Sequence, residues 1–190
     1  MEWSNKIIIL SGISGAGKTT LVRYLLDQKE LNLAFSISAC SRKKRDQEVD
    51  GKHYLFLSPS DFKAKIQNNE FLEWEEVYPM QFYGTLKSCA ISILDSGKNI
   101  LFDVDVKGAL SIKNYFKDKA FTIFITPPSL EEVQKRLINR NTETSSSLAT
   151  RIKKMNHELT FGKKMDLQLV NDDLQIAKKS IYSYVKSFLQ

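Results

Sequence analysis

Residues 12–19 read Gly-Ile-Ser-Gly-Ala-Gly-Lys-Thr, the spacing GxxxxGK[ST] of a phosphate-binding loop, with Thr20 directly after it. The glycines allow backbone amides to turn inward around the β-phosphate of a nucleoside triphosphate, and a helix beginning at the end of the loop adds its positive pole. Lys18 would reach the β- and γ-oxygens, and Thr19 offers a hydroxyl to Mg²⁺. The flanks suit that chemistry, because the apolar run Ile7-Ile8-Ile9-Leu10 stops at Ser11 and a helical pattern starts at Lys18. Loops of this kind serve kinases, GTPases, helicases and other ATP-driven machines, so the acceptor of a transferred group must be read elsewhere in the chain.

Little else in the sequence suggests a rival chemistry. Cys40 and Cys89 lack the paired spacing of a zinc knuckle or a redox motif and read as two buried, reduced thiols. His53 and His157 are isolated, which argues against a transition-metal site built by the protein. A net charge of +6 calls for anionic partners. The lysines are scattered and form no dense basic stripe with stacking aromatics, which favours small nucleotides over nucleic acid. No apolar run approaches a membrane-spanning length, so no membrane and a cytoplasmic location are expected.

The elements that must carry the loop can be read from hydrophobic periodicity. A chain of 190 residues, 42% hydrophobic and with only four prolines, is sized for one folded domain. Short apolar runs at 6–10, 34–38, 99–104, 122–125 and 167–170 read as buried strands, and the stretches 18–28 and 174–189 as amphipathic helices. Ser58-Pro59-Ser60-Asp61 and Ser129-Leu130-Glu131-Glu132 carry helix-capping signals. Alternation of strands and helices implies an α/β fold with a largely parallel sheet. Two stretches interrupt the rhythm: residues 42–77, with strands expected at 54–57 and 71–77, and the polar stretch 140–147.

The segment Phe35-Ser36-Ile37-Ser38-Ala39-Cys40-Ser41-Arg42-Lys43-Lys44-Arg45, followed by Glu48-Val49-Asp50-Gly51-Lys52-His53-Tyr54, resembles the GMP-binding stretch of guanylate kinases. The resemblance runs on in collinear order through Asn69-Glu70-Phe71-Leu72-Glu73-Trp74, Phe82-Tyr83-Gly84-Thr85, Leu101-Phe102-Asp103-Val104-Asp105 and Val170-Asn171-Asp172-Asp173. It implies a P-loop core sheet flanked by helices at about 1–37, 86–128 and 155–190, a GMP-binding insert at about 38–85, and a mobile lid at about 129–154. It also implies Mg²⁺-dependent transfer of the γ-phosphoryl group of ATP to GMP, with dGMP as a further acceptor.

Roles follow from the same resemblance. ATP would meet Gly12, Ile13, Ser14, Gly15, Ala16, Gly17, Lys18, Thr19 and Thr20, with Arg136 and, towards the adenine, Asn171. Arg42, Arg45, Tyr54 and Tyr83 would hold the GMP phosphate, while Ser38, Glu73 and Thr85 face the guanine and Asp105 assists. Guanine presents N1–H and N2–H₂ as donors on one edge, which the Glu73 carboxylate can accept as a pair. Thr19 and Asp103 would serve Mg²⁺, with Asp105 competing for the metal-side role. Arg140 and Arg151 join Lys18, Arg42 and Arg45 in stabilising the transferring phosphoryl group. Lys44, Gln47 and Asn141 depart from residues common in relatives, and Tyr78-Pro79-Met80-Gln81 is one residue longer than the common version. A binding module that had lost catalysis would have lost the loop, whereas Lys18, Thr19 and Asp103 are all present.

Overall fold

The apolar run ahead of the glycine loop forms β1 (Ile7–Gly12), and every one of its residues is buried. A strand hidden on both faces belongs in the middle of a layered α/β structure. The structure, a computed structural model that describes residues 3–129, 155 and 158–190, puts it there. Among the described residues the remaining strands are β2 (Leu33–Phe35), β3 (Ala39–Cys40), β4 (Leu55–Phe56), β5 (Phe71–Tyr78), β6 (Gln81–Leu86), β7 (Asn99–Asp103), β8 (Ala120–Thr126) and β9 (Leu167–Val170). The helices bounded within the described residues are α1 (Lys18–Leu26), α2 (Pro59–Gln67), α3 (Lys87–Asp95), α4 (Val106–Phe116) and α5 (Leu174–Leu189).

One sheet has five strands in the order β2-β7-β1-β8-β9, and all its pairings are parallel. Its register sets Leu10 opposite Asp103 on one side and Gly12 opposite Ile125 on the other. Helices cover it: Leu21 and Leu25 of α1, Ala109 and Ile112 of α4, and Ala177, Ile181 and Val185 of α5 join the strand residues in one buried core. Since parallel strands point their C-terminal ends the same way, the glycine loop, Asp103 and the residues after β9 gather at one edge, where α/β proteins bind ligands.

The second sheet has four strands in the order β4-β3-β6-β5 and mixes parallel and antiparallel pairs. Its own small core contains Ala39, Phe62, Phe71, Phe82 and Leu86, with the Phe62 ring stacked on Phe71 at 4.4 Å and on Phe82 at 5.5 Å. Alternation along β5 turns Glu73, Glu75 and Val77 towards a cleft. Trp74, 47% exposed, lies on the other face and meets the Phe82 ring edge-on. Gly84 lets β6 pass close to β5, because a Cβ there would sit 2.7 Å from the Glu73 carbonyl oxygen.

Several expectations shift by a few residues. The strand expected at 34–38 ends at Phe35; the Ser36 amide still donates to the Leu101 carbonyl, after which the chain leaves the parallel sheet to begin β3 at Ala39. Ser58 caps α2 as its motif requires, accepting from the Asp61 amide at 3.0 Å. The second capping signal runs into residues outside those described. Cys40 is buried, whereas Cys89 is only half-buried, and both are free thiols. No described helix is long and apolar enough to cross a membrane.

Candidate active site

The loop between β1 and α1 is shaped by close approach as much as by glycine's freedom. A Cβ on Gly12 would lie 2.2 Å from the Ile125 carbonyl oxygen, and the Ile13 amide donates to that same oxygen at 3.3 Å, so β8 pins the entry of the loop. Gly17, at φ 90°, caps α1 in the left-handed region. Behind it Asn171, 5% exposed, donates from Nδ2 to the Ala16 carbonyl at 2.8 Å. The Lys18 ammonium lies across the loop and donates to the Gly12 carbonyl at 2.7 Å. Thr19 and Thr20 are exposed in the first turn of α1, where helix geometry leaves amides without intrahelical acceptors. Donors, a cation and a helix N-terminus converge, which is the chemistry of phosphate binding.

Asp103 closes β7 beside this loop. Burial holds its carboxyl above the usual range, and the nearby Lys18 charge pulls the other way. Asp103 also lines a cavity of about 220 Å³ with Ser38, Tyr54, Glu73, Tyr83 and Asp105, and with Glu75, Val77, Gly84 and Val104. The loop and the cavity therefore share a wall.

The far end of the cavity is basic and phenolic. Arg42 donates from Nε to the Tyr83 hydroxyl at 3.0 Å, and its guanidinium lies over the Tyr54 ring at 5.1 Å. The two terminal nitrogens of Arg42 grip Glu48 through both carboxylate oxygens, at 2.6 and 2.5 Å. Glu48 also accepts from the Arg45 amide at 2.8 Å, which closes the loop on itself. The bidentate contact with Arg42, aided by that amide, holds the Glu48 carboxyl down at about 2. Burial keeps the Tyr54 phenol above its ordinary value.

The near end is acidic. Glu73 accepts from the Thr85 hydroxyl at 2.6 Å, and burial, with Asp105 close by, raises its carboxyl to about 7 despite that bond. Asp105 caps α4, accepting from the Gly108 amide at 2.7 Å. A Cβ on Gly108 would approach Glu73 to 3.0 Å and Asp105 to 3.1 Å, so a small residue keeps room for both carboxylates.

Of the residues singled out in the sequence, Ser38, Tyr54, Glu73, Tyr83, Asp103 and Asp105 meet around one cavity, and Arg42 joins through Tyr54 and Tyr83. Thr85 lies fully inside, touching the cavity through Glu73. Arg45 is exposed and is tied in only through its backbone. Asn171, read as an adenine-side residue, packs under the phosphate loop. Arg136, Arg140, Arg151 and nearly all of the expected lid at 129–154 lie outside the described residues. Sequence reasoning gave Glu48 and Gly108 no role; Glu48 stands three positions after the basic run Arg42-Lys43-Lys44-Arg45, but Asp46 lies between them, so spacing alone does not single it out.

A sequence profile described as guanylate kinase matches residues 4–189. The chain belongs to the guanylate kinase family. The guanylate kinase of Bacteroides fragilis is 50% identical to it over 184 residues, spanning 97% of this chain and 90% of that protein. That of Porphyromonas gingivalis is 47% identical over 184 residues, spanning 97% and 98%. A crystal structure of guanylate kinase from Anaplasma phagocytophilum superposes with a TM-score of 0.74 at 27% identity, covering 96% of this chain and 85% of the other. Guanylate kinases are enzymes that use ATP and Mg²⁺, and their reaction transfers a phosphoryl group from ATP to GMP.

Proposed function

We propose that this chain phosphorylates GMP, and dGMP as well, with ATP as donor, in the cytoplasm, and that the residues around the shared cavity divide the work. The observation that carries the reading is the position of Asp103, which feels the Lys18 charge and lines the same cavity as Glu73 and Tyr83. A donor phosphate on the glycine loop and an acceptor in the cavity would then meet at one wall.

In this reading Lys18 and the loop amides hold the triphosphate, while Arg42, Arg45, Tyr54 and Tyr83 hold the acceptor phosphate. The guanine edge donates N1–H and N2–H₂ to Glu73, with Ser38, Thr85 and Asp105 completing that end. Adenine presents an acceptor at N1 instead and would leave the buried carboxylate unpaired, which is how such a site rejects the wrong base. The acceptor phosphate has a second pKa near 6, so at pH 7 it is mostly ionised and needs no strong general base. What opposes reaction is the approach of two anions, roughly 4 kcal/mol per unit pair at about 4 Å and an effective dielectric of 20. Lys18, Arg42 and Arg45 are described cations that would offset it.

Mg²⁺ fits the residues present. The Thr19 hydroxyl and the Asp103 carboxylate are hard oxygen donors, and no group of three or more potential ligands occurs among the described residues, as suits an ion shared between one or two carboxylates, water and substrate phosphates. Bound there, it would neutralise developing charge on the transferring group. The test is ADP release from ATP with GMP, dGMP, AMP, UMP and CMP offered separately. GMP and dGMP are expected to support turnover; equal rates with AMP, or no GDP at all, would overturn the reading.

A further inference from the structure

The glycine loop is held at both ends by consecutive residues of one strand. At its entry, Gly12 and Ile13 press against Ile125 of β8, whose carbonyl accepts from the Ile13 amide. The next carbonyl along β8, that of Thr126, accepts from the Asn171 amide at 2.7 Å and so anchors the residue that follows β9. From that anchor the Asn171 side chain reaches the loop's exit, where Nδ2 donates to the Ala16 carbonyl at 2.8 Å. A Cβ on Gly17 would come within 2.4 Å of the same nitrogen. Asn171 is 5% exposed and Ala16 fully buried, so this contact is shielded from competing water.

Peptide planarity gives the contact its meaning. In a trans peptide the C=O and the following N–H point in opposite directions. Tying the Ala16 carbonyl towards Asn171 therefore points the Gly17 N–H away from Asn171, and no described group accepts that N–H. We propose that Asn171 is a positioning residue for the phosphate cradle: it fixes the Ala16–Gly17 peptide so that the Gly17 N–H faces the phosphates, whatever base the nucleotide carries. The proposal deepens the reading of the loop as the ATP site and assigns Asn171 a task other than contact with adenine.

A comparison of phosphate binding with base binding tests it. The dissociation constants of Mg·ATP, Mg·tripolyphosphate and GMP are measured by calorimetry for the wild type and for Asn171→Ala. Loss of one aligned, buried donor should weaken ATP and tripolyphosphate by the same factor, roughly tenfold, and leave GMP unchanged. The Gly17 amide proton should shift downfield in NMR spectra when tripolyphosphate is added to the wild type, and not in the variant. Asn171→Leu, of similar size, uncharged and without a donor, should reproduce the loss and carries the test if Asn171→Ala fails to fold. Weakening of ATP alone would make Asn171 a reader of the base and overturn the proposal. So would unaltered binding of both, or a wild type that holds ATP but not tripolyphosphate. None of these measurements requires turnover, so a chain that bound tripolyphosphate as described yet made no GDP would sink the functional reading and leave this one standing.

Discussion

Replacing Glu73 by glutamine separates two consequences of one buried carboxyl. In the folded chain the Glu73 carboxyl titrates at about 7, against an ordinary value of 4.5, chiefly because burial disfavours its charge. Between those values the folded chain holds a proton that the unfolded chain has released, so stability falls as pH rises through that window and levels off above it. The gap corresponds to about 3 kcal/mol. Glutamine keeps the acceptor for the Thr85 hydroxyl but does not titrate, so urea melts of Glu73→Gln from pH 4.5 to 8 should lose most of that slope. The residual slope belongs partly to Asp103, whose carboxyl is also raised. Guanine's donors favour the ionised carboxylate, so GMP binding below pH 7 should release a proton from wild type and less from the variant. The variant also turns an amide donor towards guanine N1–H, and its preference for GMP over AMP should fall by roughly 10²-fold or more. Equal pH slopes for the two proteins, or unchanged base preference, would refute the placement of this carboxyl at the base.

Further outcomes are expected elsewhere in the site. Lys18→Ala should lower kcat by roughly 10³-fold while leaving the melting temperature close to that of wild type, since the ammonium is half-exposed and its hydrogen bonds at 2.7 and 3.5 Å go to carbonyls of the loop itself; near-normal turnover would contradict the cradle. Glu48→Ala frees the Arg42 fork and the Arg45 amide, and KM for GMP should rise about tenfold with KM for ATP unaltered, as steady-state kinetics would report. Gly12→Ala forces a Cβ to within 2.2 Å of the Ile125 oxygen and should cost about 3 kcal/mol or prevent folding, which thermal melts would detect.

What could be read in advance was what depends on neighbours in sequence. The glycine loop and β1 announce themselves because a fully buried strand must be apolar throughout and a phosphate nest must be glycine-rich. The strands β7, β8 and β9 were legible for the same reason, within one or two residues. The second sheet was harder. Its β3 and β4 have only two residues each, too few for a period, and β6 was missed because Gly84 interrupts the alternation in favour of close contact with β5. Arg42 and Tyr83 could be named from a resemblance, but the grip of Glu48 on Arg42 could not: a glutamate beside a basic run normally solvates a surface. The task of Asn171 was hidden more deeply, because its partner lies 155 positions away and only the folded sheet brings them together.

One exposed ring gives this chain an optical gauge of its own. Trp74 follows Glu73 on β5, and the only other tryptophan, Trp3, packs against the main core and donates from its indole nitrogen to Asp95 at 2.8 Å. With Trp3→Phe, emission from the single remaining indole would report the electrostatic change next door each time a guanine docks or departs, without label or coupled enzyme.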